Sequence, residues 1–148
     1  MEEIPIKAPK FSLEGLSFRG RVVSVYDGDT VKVIFKFRGV YNVWNCRILG
    51  IDTPELRTRD LNEKRAAQRA RDYLREIILN KIVNINCNKF DKYGRLLVEI
   101  KSGSIKNCNV AEGDNLDIGQ HMIDLGHAQS YDGGTKKKFN LKKKFFLK

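Results

Sequence analysis

The stretch from Thr30 to Phe37, TVKVIFKF, alternates apolar and polar side chains with the period of two that a half-buried β-strand requires. The apolar residues Val31, Val33 and Phe35 fall on one face together with Phe37. Lys32, Ile34 and Lys36 fall on the other face. This pattern predicts a strand with one side toward a core, and the rest of the fold is built outward from it.

Strand and turn patterns on both sides of this stretch predict an antiparallel meander. Residues 21–26 form an apolar strand before it, and Asp27-Gly28-Asp29 is a strong turn signal. Arg38-Gly39 turns the chain again, and residues 43–51 are predicted as a third, more apolar strand.

The second half of the chain predicts a helix, two strands and a shorter helix. The first helix follows a polar stretch at 57–62 and ends near residue 79, with one apolar stripe at helical spacing. The stripe consists of Ala66, Ala70, Tyr73, Leu74, Ile77 and Ile78. The strands cover residues 82–87 and 95–101, and the second helix runs from about 116 to 125 with Gly126 as its stop.

The element order βββ-α-ββ-α predicts an α+β fold built on a five-stranded Greek-key barrel, the OB-fold, with two or three helices. An open α+β sheet is the alternative, and the barrel is favoured because short strands in an open sheet would leave two unprotected edges. A length of 148 residues predicts one domain. We expect it to cover residues 19–135, between an irregular leader at 1–18 and a basic tail at 136–148.

The net charge, the apolar runs and the cysteines indicate which kinds of partner and which cellular compartment suit this protein. The net charge of +10 favours a polyanionic partner, although seven lysines lie in the tail and the 135 residues before it carry only +3. No apolar run is long enough for a membrane span, and the start lacks the apolar region of a secretory signal. Three widely spaced cysteines, Cys46, Cys87 and Cys108, favour a reducing compartment, so an intracellular location is expected. The first two lie in apolar runs and are predicted to be small buried hydrophobes.

Three segments contain clusters of charged residues at positions where the strand pattern predicts apolar residues or an uncharged strand end. They are DGDT at 27–30, RILGIDTPE at 47–55 and DKYGR at 91–95. Taken singly, the first and third could be plain hairpin turns. Arg47 is harder to explain, because a guanidinium inside an apolar strand requires an anion beside it. Asp29 and Asp52 can meet at one end of the barrel, where two carboxylates would repel each other unless a hard cation lay between them. Calcium suits such oxygen ligands, whereas zinc would favour histidine and cysteine.

These three motifs, in this order and around the same helix, resemble the staphylococcal nuclease (thermonuclease) family of small OB-fold enzymes. The resemblance runs from about residue 21 to 131. It implies one Ca²⁺ ion, held by Asp29, Asp52 and the carbonyl of Thr53. The DTPELRTRD stretch and the loop at Tyr131 are similar to those of members from large DNA viruses and some bacteria.

The resemblance also implies roles for the other motif residues. Arg47 and Arg95 correspond to the arginines that grip the scissile phosphate, and Glu55 to the residue that orients or deprotonates the attacking water. Asp27 corresponds to an acid beside the ligands. Lys92, Tyr93 and Tyr131 correspond to nucleotide-binding residues.

The expected activity is therefore calcium-dependent endonuclease cleavage of phosphodiester bonds, sugar-nonspecific and leaving 3′-phosphate ends. The expected partners are single-stranded and double-stranded DNA and RNA, bound by a monomer with no membrane association. Two other classes compete with this one: a nucleic-acid-binding module of the same fold without catalysis, and a basic structural protein. The enzyme is favoured because all six catalytic and ligand positions hold the required residue types, and a structural protein leaves Arg47 unexplained.

Overall fold

A computed structural model describes residues 2–102 and 115–134. Within these residues the chain forms seven strands and two helices. In chain order they are β1 (Ser17–Val25), β2 (Thr30–Phe37), β3 (Val40–Ile48), β4 (Ile51–Asp52), α1 (Leu61–Ile78), β5 (Ile82–Phe90), β6 (Leu96–Lys101), α2 (Ile118–Asp124) and β7 (Gln129–Ser130).

Five strands close into a barrel in the order β1-β2-β3-β6-β5. The first three form the predicted antiparallel meander, and β5 pairs antiparallel with both β1 and β6. A short parallel contact closes the circle, in which Cys46, Arg47 and Ile48 pair with Leu96, Leu97 and Val98. The predicted OB-type barrel is thus confirmed over the open sheet, since closure leaves no free edge in these five strands.

The third strand differs from its prediction as a single strand over residues 43–51. It begins earlier, because Arg38 (φ 50°) and Gly39 (φ 79°) form a two-residue hairpin turn that allows pairing up to Phe37 and Val40. It ends at Ile48 because Gly50 has a φ of 80°, which turns the chain. The next two residues form β4, which pairs with β7 outside the barrel.

Helix α1 packs its apolar side against the barrel core, as the predicted stripe indicates. Asp60 caps its N-terminus, where the carboxylate accepts hydrogen bonds from the backbone N–H groups of Asn62 and Glu63. The buried residues of the helix are Ala66, Ala67, Ala70, Leu74, Ile77 and Ile78. At its last turn the Arg75 guanidinium donates to the carbonyl of Val25 at the end of β1, so the helix is also held to the strand that leads into the DGDT turn.

The N-terminal segment contributes to the core, although it is irregular as predicted. Leu13 is fully buried among the barrel residues. The Gly15 N–H donates to the carbonyl of Cys87, and the Cys87 N–H donates to the carbonyl of Leu16. Strand β1 starts at Ser17, two residues before the expected start of the domain. The boundaries of the leader, domain and tail stay predictions, and residues 136–148 lie outside the described part of the chain.

Stacked aromatic rings pack against the barrel core next to this segment. The Trp44 indole stacks on the Phe35 ring, with 4.9 Å between ring centres and an interplanar angle of 5°. The Phe18 ring also stacks on Phe35, with 4.4 Å between ring centres. Phe11 of the N-terminal segment contacts Phe37 edge-on at 5.8 Å. The segment therefore covers rings that would otherwise meet water.

The two cysteines in the described barrel are small buried hydrophobes, as predicted. Cys46 and Cys87 are free and buried, and burial raises their thiol pKa values to about 12 and about 11 respectively. Cys108 lies outside the described residues. Neither described helix has the length and apolar character needed to cross a bilayer.

Replacing Leu13 with alanine tests whether the N-terminal segment stabilises the barrel. The change removes a fully buried side chain, so unfolding in urea should become easier by about 2–5 kcal/mol. Ile6→Ala is the matched control, because Ile6 is 99% exposed and should shift the unfolding free energy by less than about 0.5 kcal/mol. Equal stability of both variants would contradict the packing role of the segment.

Candidate active site

The DGDT turn between β1 and β2 buries an aspartate at the end of the barrel. The Asp29 N–H donates to the Asp27 carboxylate at 3.1 Å, and the Thr30 hydroxyl donates to the Asp29 carboxylate at 3.0 Å. Asp29 is only 7% exposed. Thr30 was not predicted as a site residue, and its position directly after Asp29 in the motif was the available signal.

Gly28 brings this turn against the DTPE segment and helix α1. A Cβ at this position would lie 2.8 Å from Thr53 Cγ2 and 3.1 Å from the Ala70 Cβ, so no larger residue fits without displacement. The glycine thereby allows the Asp27–Thr30 turn to contact the segment that follows β4. The two motifs are in van der Waals contact, as their predicted meeting at one end of the barrel requires.

Arg47 joins the same two motifs through its guanidinium. It lies opposite Thr30 in the β2–β3 register. Its Nη2 donates to the Asp29 carboxylate at 3.3 Å and to the Ile51 carbonyl at 3.0 Å, and its Nη1 donates to the Ile48 carbonyl at 3.1 Å. The anion that the sequence requires beside Arg47 is thus Asp29.

The oxygen-rich pocket beside Arg47 has the donor chemistry of a hard cation site. Asp52 and Thr53 are 2% and 4% exposed, which makes them part of the small set of buried polar residues in the described chain. Burial, and then the negative charge of Asp29, raise the pKa of Asp27 to about 7. A cation would relieve this accumulation of carboxylates.

The described ranges contain no group of three or more His, Cys, Asp and Glu side chains placed to hold a metal. A cation in this pocket would therefore bind to two carboxylates completed by a backbone carbonyl and water. Calcium accepts such mixed oxygen ligands. Asp29, Asp52 and the Thr53 carbonyl would supply oxygen ligands of this kind, and their role as a ligand set stays a prediction.

Glu55 is exposed and follows the buried residues Asp52 and Thr53 in the chain. Its backbone N–H donates to the carboxylate of Glu63 at 3.1 Å, so the first turn of α1 positions the segment that carries it. Glu63 was missed in the sequence analysis. Its position three residues after the Asp60 cap, where an acid commonly turns back toward the helix start, was the signal.

The turn between β5 and β6 carries the third motif. The Asp91 carboxylate accepts hydrogen bonds from the backbone N–H groups of Tyr93 and Arg95, both at 2.9 Å, and from Arg95 Nε at 2.8 Å. Burial acts to raise the pKa of Asp91, but these hydrogen bonds and the charge of Arg95 outweigh it, so the pKa is lowered. In the described chain, Arg95 binds Asp91 and none of the residues around Asp29.

Tyr93 on this turn is 73% exposed between two cations. Lys92 Nζ lies 5.2 Å from the centre of its ring and Arg95 Cζ lies 5.6 Å from it. Both distances allow cation–π attraction. The three residues thus present one exposed basic and aromatic surface at the β5–β6 turn.

Tyr131 lies against the guanidinium of Arg47. Its N–H donates to the Gly50 carbonyl at 2.9 Å and its hydroxyl donates to the Gly134 carbonyl at 2.7 Å, which fixes the ring on both sides. The Arg47 Cζ lies 5.4 Å from the ring centre. The structure therefore brings together Asp29, Arg47, Thr53 and Tyr131. Among the described residues, Arg95 forms its ion pair with Asp91, and it directly precedes Leu96, which pairs with Cys46.

Comparison with known protein families shows which family this chain belongs to. The model of the family described as staphylococcal nuclease homologue matches residues 45–147, which is more than two thirds of the chain. The chain belongs to the staphylococcal nuclease homologue family.

Curated relatives support this family assignment at low identity. A protein of Methanocaldococcus jannaschii named as uncharacterized is 31% identical over 134 residues, which cover 77% of this chain and 59% of that protein. Proteins from Escherichia coli O157:H7 and Escherichia coli, each named an uncharacterized endonuclease, are 26% identical over 113 residues, covering 76% of this chain and 61% of theirs. The chain thus spans about three fifths of the length of these relatives.

Gly28→Ala tests the close contact between the first two motifs of this nuclease-family barrel. The added methyl group must displace Thr53 or Ala70, so we expect a loss of about 1–3 kcal/mol in the free energy of unfolding. Adding Thr53→Ser removes Cγ2, the nearest obstacle, and should recover part of that loss. A Gly28→Ala variant as stable as the wild type would contradict the contact.

Asp91→Asn tests the charge pair of the β5–β6 turn through pH. The wild-type carboxylate has a folded-state pKa below its unfolded value of about 3.9, so its stabilisation is present above that value and is lost as pH falls through the folded pKa. The amide of the variant cannot ionise. The wild type should therefore be more stable than the variant at pH 7, and the difference should disappear at low pH. A difference independent of pH would show that the charge of Asp91 contributes nothing.

Proposed function

We propose that this protein is a calcium-dependent nuclease that hydrolyses phosphodiester bonds of DNA and RNA with little sequence specificity and leaves 3′-phosphate ends. The observation that carries the proposal is the restrained guanidinium of Arg47. Its two terminal nitrogens donate to the Asp29 carboxylate and to the carbonyls of Ile48 and Ile51, and the two residues that follow Ile51, Asp52 and Thr53, are buried. A fixed planar cation beside oxygen ligands is suited to a phosphate whose negative charge increases during hydrolysis.

Arg47 and Arg95 would contact the scissile phosphate. The hydrogen bonds of Arg47 and the ring of Tyr131 hold its charge in place before substrate arrives, so little reorganisation is needed. Arg95 binds Asp91 through Nε, and its terminal nitrogens make no other hydrogen bond within the described residues. Those nitrogens are therefore available to phosphate oxygens in the bidentate manner that lysine cannot reproduce.

Asp29, Asp52 and the Thr53 carbonyl would hold calcium, which when bound supplies positive charge that lowers the cost of the developing phosphate charge. Glu55 would orient the attacking water and accept its proton. The backbone N–H of Glu55 donates to the Glu63 carboxylate, which holds this part of the chain in place. The Glu55 side chain is exposed and therefore accessible to water.

Lys92, Tyr93 and Tyr131 would bind the nucleotide around the reacting phosphate. Tyr93 offers an exposed ring between two cations, which suits a base or sugar next to a phosphate. Such contacts with backbone and ring faces do not discriminate between bases, which is consistent with weak sequence specificity for single- and double-stranded DNA and for RNA. We propose that the active unit is the monomer.

Cleavage of single-stranded DNA in calcium, in chelator and in magnesium alone tests the proposal. Activity should require calcium, because magnesium demands a tighter octahedral site, and the products should carry 3′-phosphate groups. Asp52→Ala should reduce the rate by about 100-fold or more, since it removes a ligand from the pocket. Asp72→Ala, on the exposed surface of α1, is the matched control and should leave the rate unchanged.

Two outcomes would overturn the assignment. Full activity of Asp52→Ala in calcium would exclude the proposed metal site. Tight binding of DNA without cleavage under any of the three conditions would indicate a non-catalytic binding module of the same fold.

A further inference from the structure

The three strands that follow one another around the barrel, β1 to β3, contain basic residues and no acidic residue. Their sequences hold no Asp or Glu, and they hold five basic side chains. These are Arg19, Arg21, Lys32, Lys36 and Arg47. All but Arg47 are exposed. A sheet surface of one sign attracts polyanions and is not explained by the pocket around Arg47 alone.

The register of the strands aligns these side chains on the outside of the barrel. Side chains alternate along a strand, so residues paired with Lys32, Ile34 and Lys36 of β2 point the same way. On β3 these partners are Asn45, Val43 and Tyr41, and on β1 Ser24 pairs with Lys32 and Arg21 with Ile34. The next outward pair along the two strands is Thr30 with Arg47. One continuous surface therefore extends about 20 Å from the Arg47 pocket to Tyr41, at about 3.4 Å per residue.

This surface exposes apolar side chains among its cations. Tyr41 is 68% exposed and Val43 is 55% exposed. Lys36 Nζ lies 5.6 Å from the centre of the Tyr41 ring. An exposed ring within a positively charged track is the arrangement on which bases of single-stranded nucleic acid stack while cations follow the phosphates.

We propose that this surface, formed by Arg21, Lys32, Lys36, Tyr41 and Val43 and called the basic face below, binds single-stranded nucleic acid that leads to the Arg47 pocket. The strand is single because stacking on Tyr41 requires an unpaired base. A length of about 20 Å accommodates about four nucleotides, the lower end of the range for one OB-type barrel. The inference rests on the proposed function only for the direction of the strand toward the pocket, because binding itself requires no cleavage.

The charge of the basic face sets the size of the expected effect. Each phosphate contact on a single strand contributes about 0.7 to the slope of log K against log salt. Loss of three contacts should therefore lower the slope by about 2 and weaken binding by about 100-fold near 0.1 M salt.

The test is fluorescence anisotropy with a labelled 16-nucleotide oligothymidylate in chelator, so that calcium-dependent cleavage does not occur. The variant R21Q/K32Q/K36Q should show the lower slope and weaker binding. Its matched control is K64Q/R65Q/R69Q, which removes the same charge from exposed positions of α1 and should change binding much less. Equal losses in both variants would overturn the basic face, because they would reflect net charge alone. Thermal unfolding of each variant verifies folding, and the single variants Lys32→Gln and Lys36→Gln replace the triple variant if it does not fold.

Tyr41→Leu separates single-stranded nucleic acid from other ligands. It keeps an apolar side chain but loses the ring, so it should weaken binding of the oligothymidylate and leave binding of a duplex of equal length unchanged. An equal effect on the duplex, or equally effective competition by polyglutamate, would overturn the assignment to single strands.

A minimal substrate distinguishes this inference from the proposed nuclease activity. Cleavage of a dinucleotide-sized reporter in calcium should be unchanged in R21Q/K32Q/K36Q, because the reporter does not extend beyond the pocket. If the wild type cleaves neither substrate but the binding differences persist, the nuclease proposal fails and the basic face stands. If the wild type cleaves and the triple variant binds the long strand like the wild type, only the basic face fails.

Discussion

The hydrogen bonds of the Arg47 guanidinium constrain the end of the barrel where the β1–β2 turn, the end of β3 and the start of β4 meet. A guanidinium inside an apolar strand loses water, and that cost must be offset by hydrogen bonds and by a nearby anion. Arg47 finds them on three segments: the β1–β2 turn at Asp29, its own strand at Ile48, and the start of β4 at Ile51. These contacts fix the β1–β2 turn against the end of β3 and the start of β4. One side chain thus couples folding of the barrel end to the geometry of the pocket.

Barrel closure and a single glycine supply the remaining constraint. The parallel pairing of β3 with β6 joins Cys46 to Leu96, and so it places the residue that follows Arg95 beside the residue that precedes Arg47. Gly28 lets the β1–β2 turn approach Thr53 and α1 more closely than any other residue would. The pocket is consequently a product of backbone packing, and its acidic and basic side chains lie on strand ends and turns of a rigid frame.

Sequence patterns predicted the elements whose periodicity is regular and failed where the backbone turns sharply. The alternation in β2 and the stripe of α1 are strong because burial selects residues at every second position or every third and fourth position. The end of β3 was missed because residues 43–51 were predicted as one continuous strand, and only the positive φ of Gly50 separates β3 from β4. The packing of Leu13 was also missed, since one buried residue in an irregular segment has no period. The same distinction applies to the site. The requirement for an anion beside Arg47 follows from burial alone, and the structure identifies Asp29.

Contacts that depend on the path of a loop could not be predicted in this way. The anchoring of Glu55 by Glu63 depends on how the loop before α1 approaches the helix, which no local pattern encodes. The attachment of Arg95 to Asp91 is local to one turn and was still not anticipated, because the resemblance implies phosphate as the partner of Arg95.

The rings around Trp44 make the fluorescence of this tryptophan a measure of barrel closure. The chain has one tryptophan, and its indole lies against Phe35 of β2 and Phe37 of the same strand, with Phe90 of β5 on a further side. These rings come from strands on both sides of the short β3–β6 closure, so the surroundings of the indole depend on the barrel being closed. The emission of the single tryptophan therefore monitors separation of the strands without an added label.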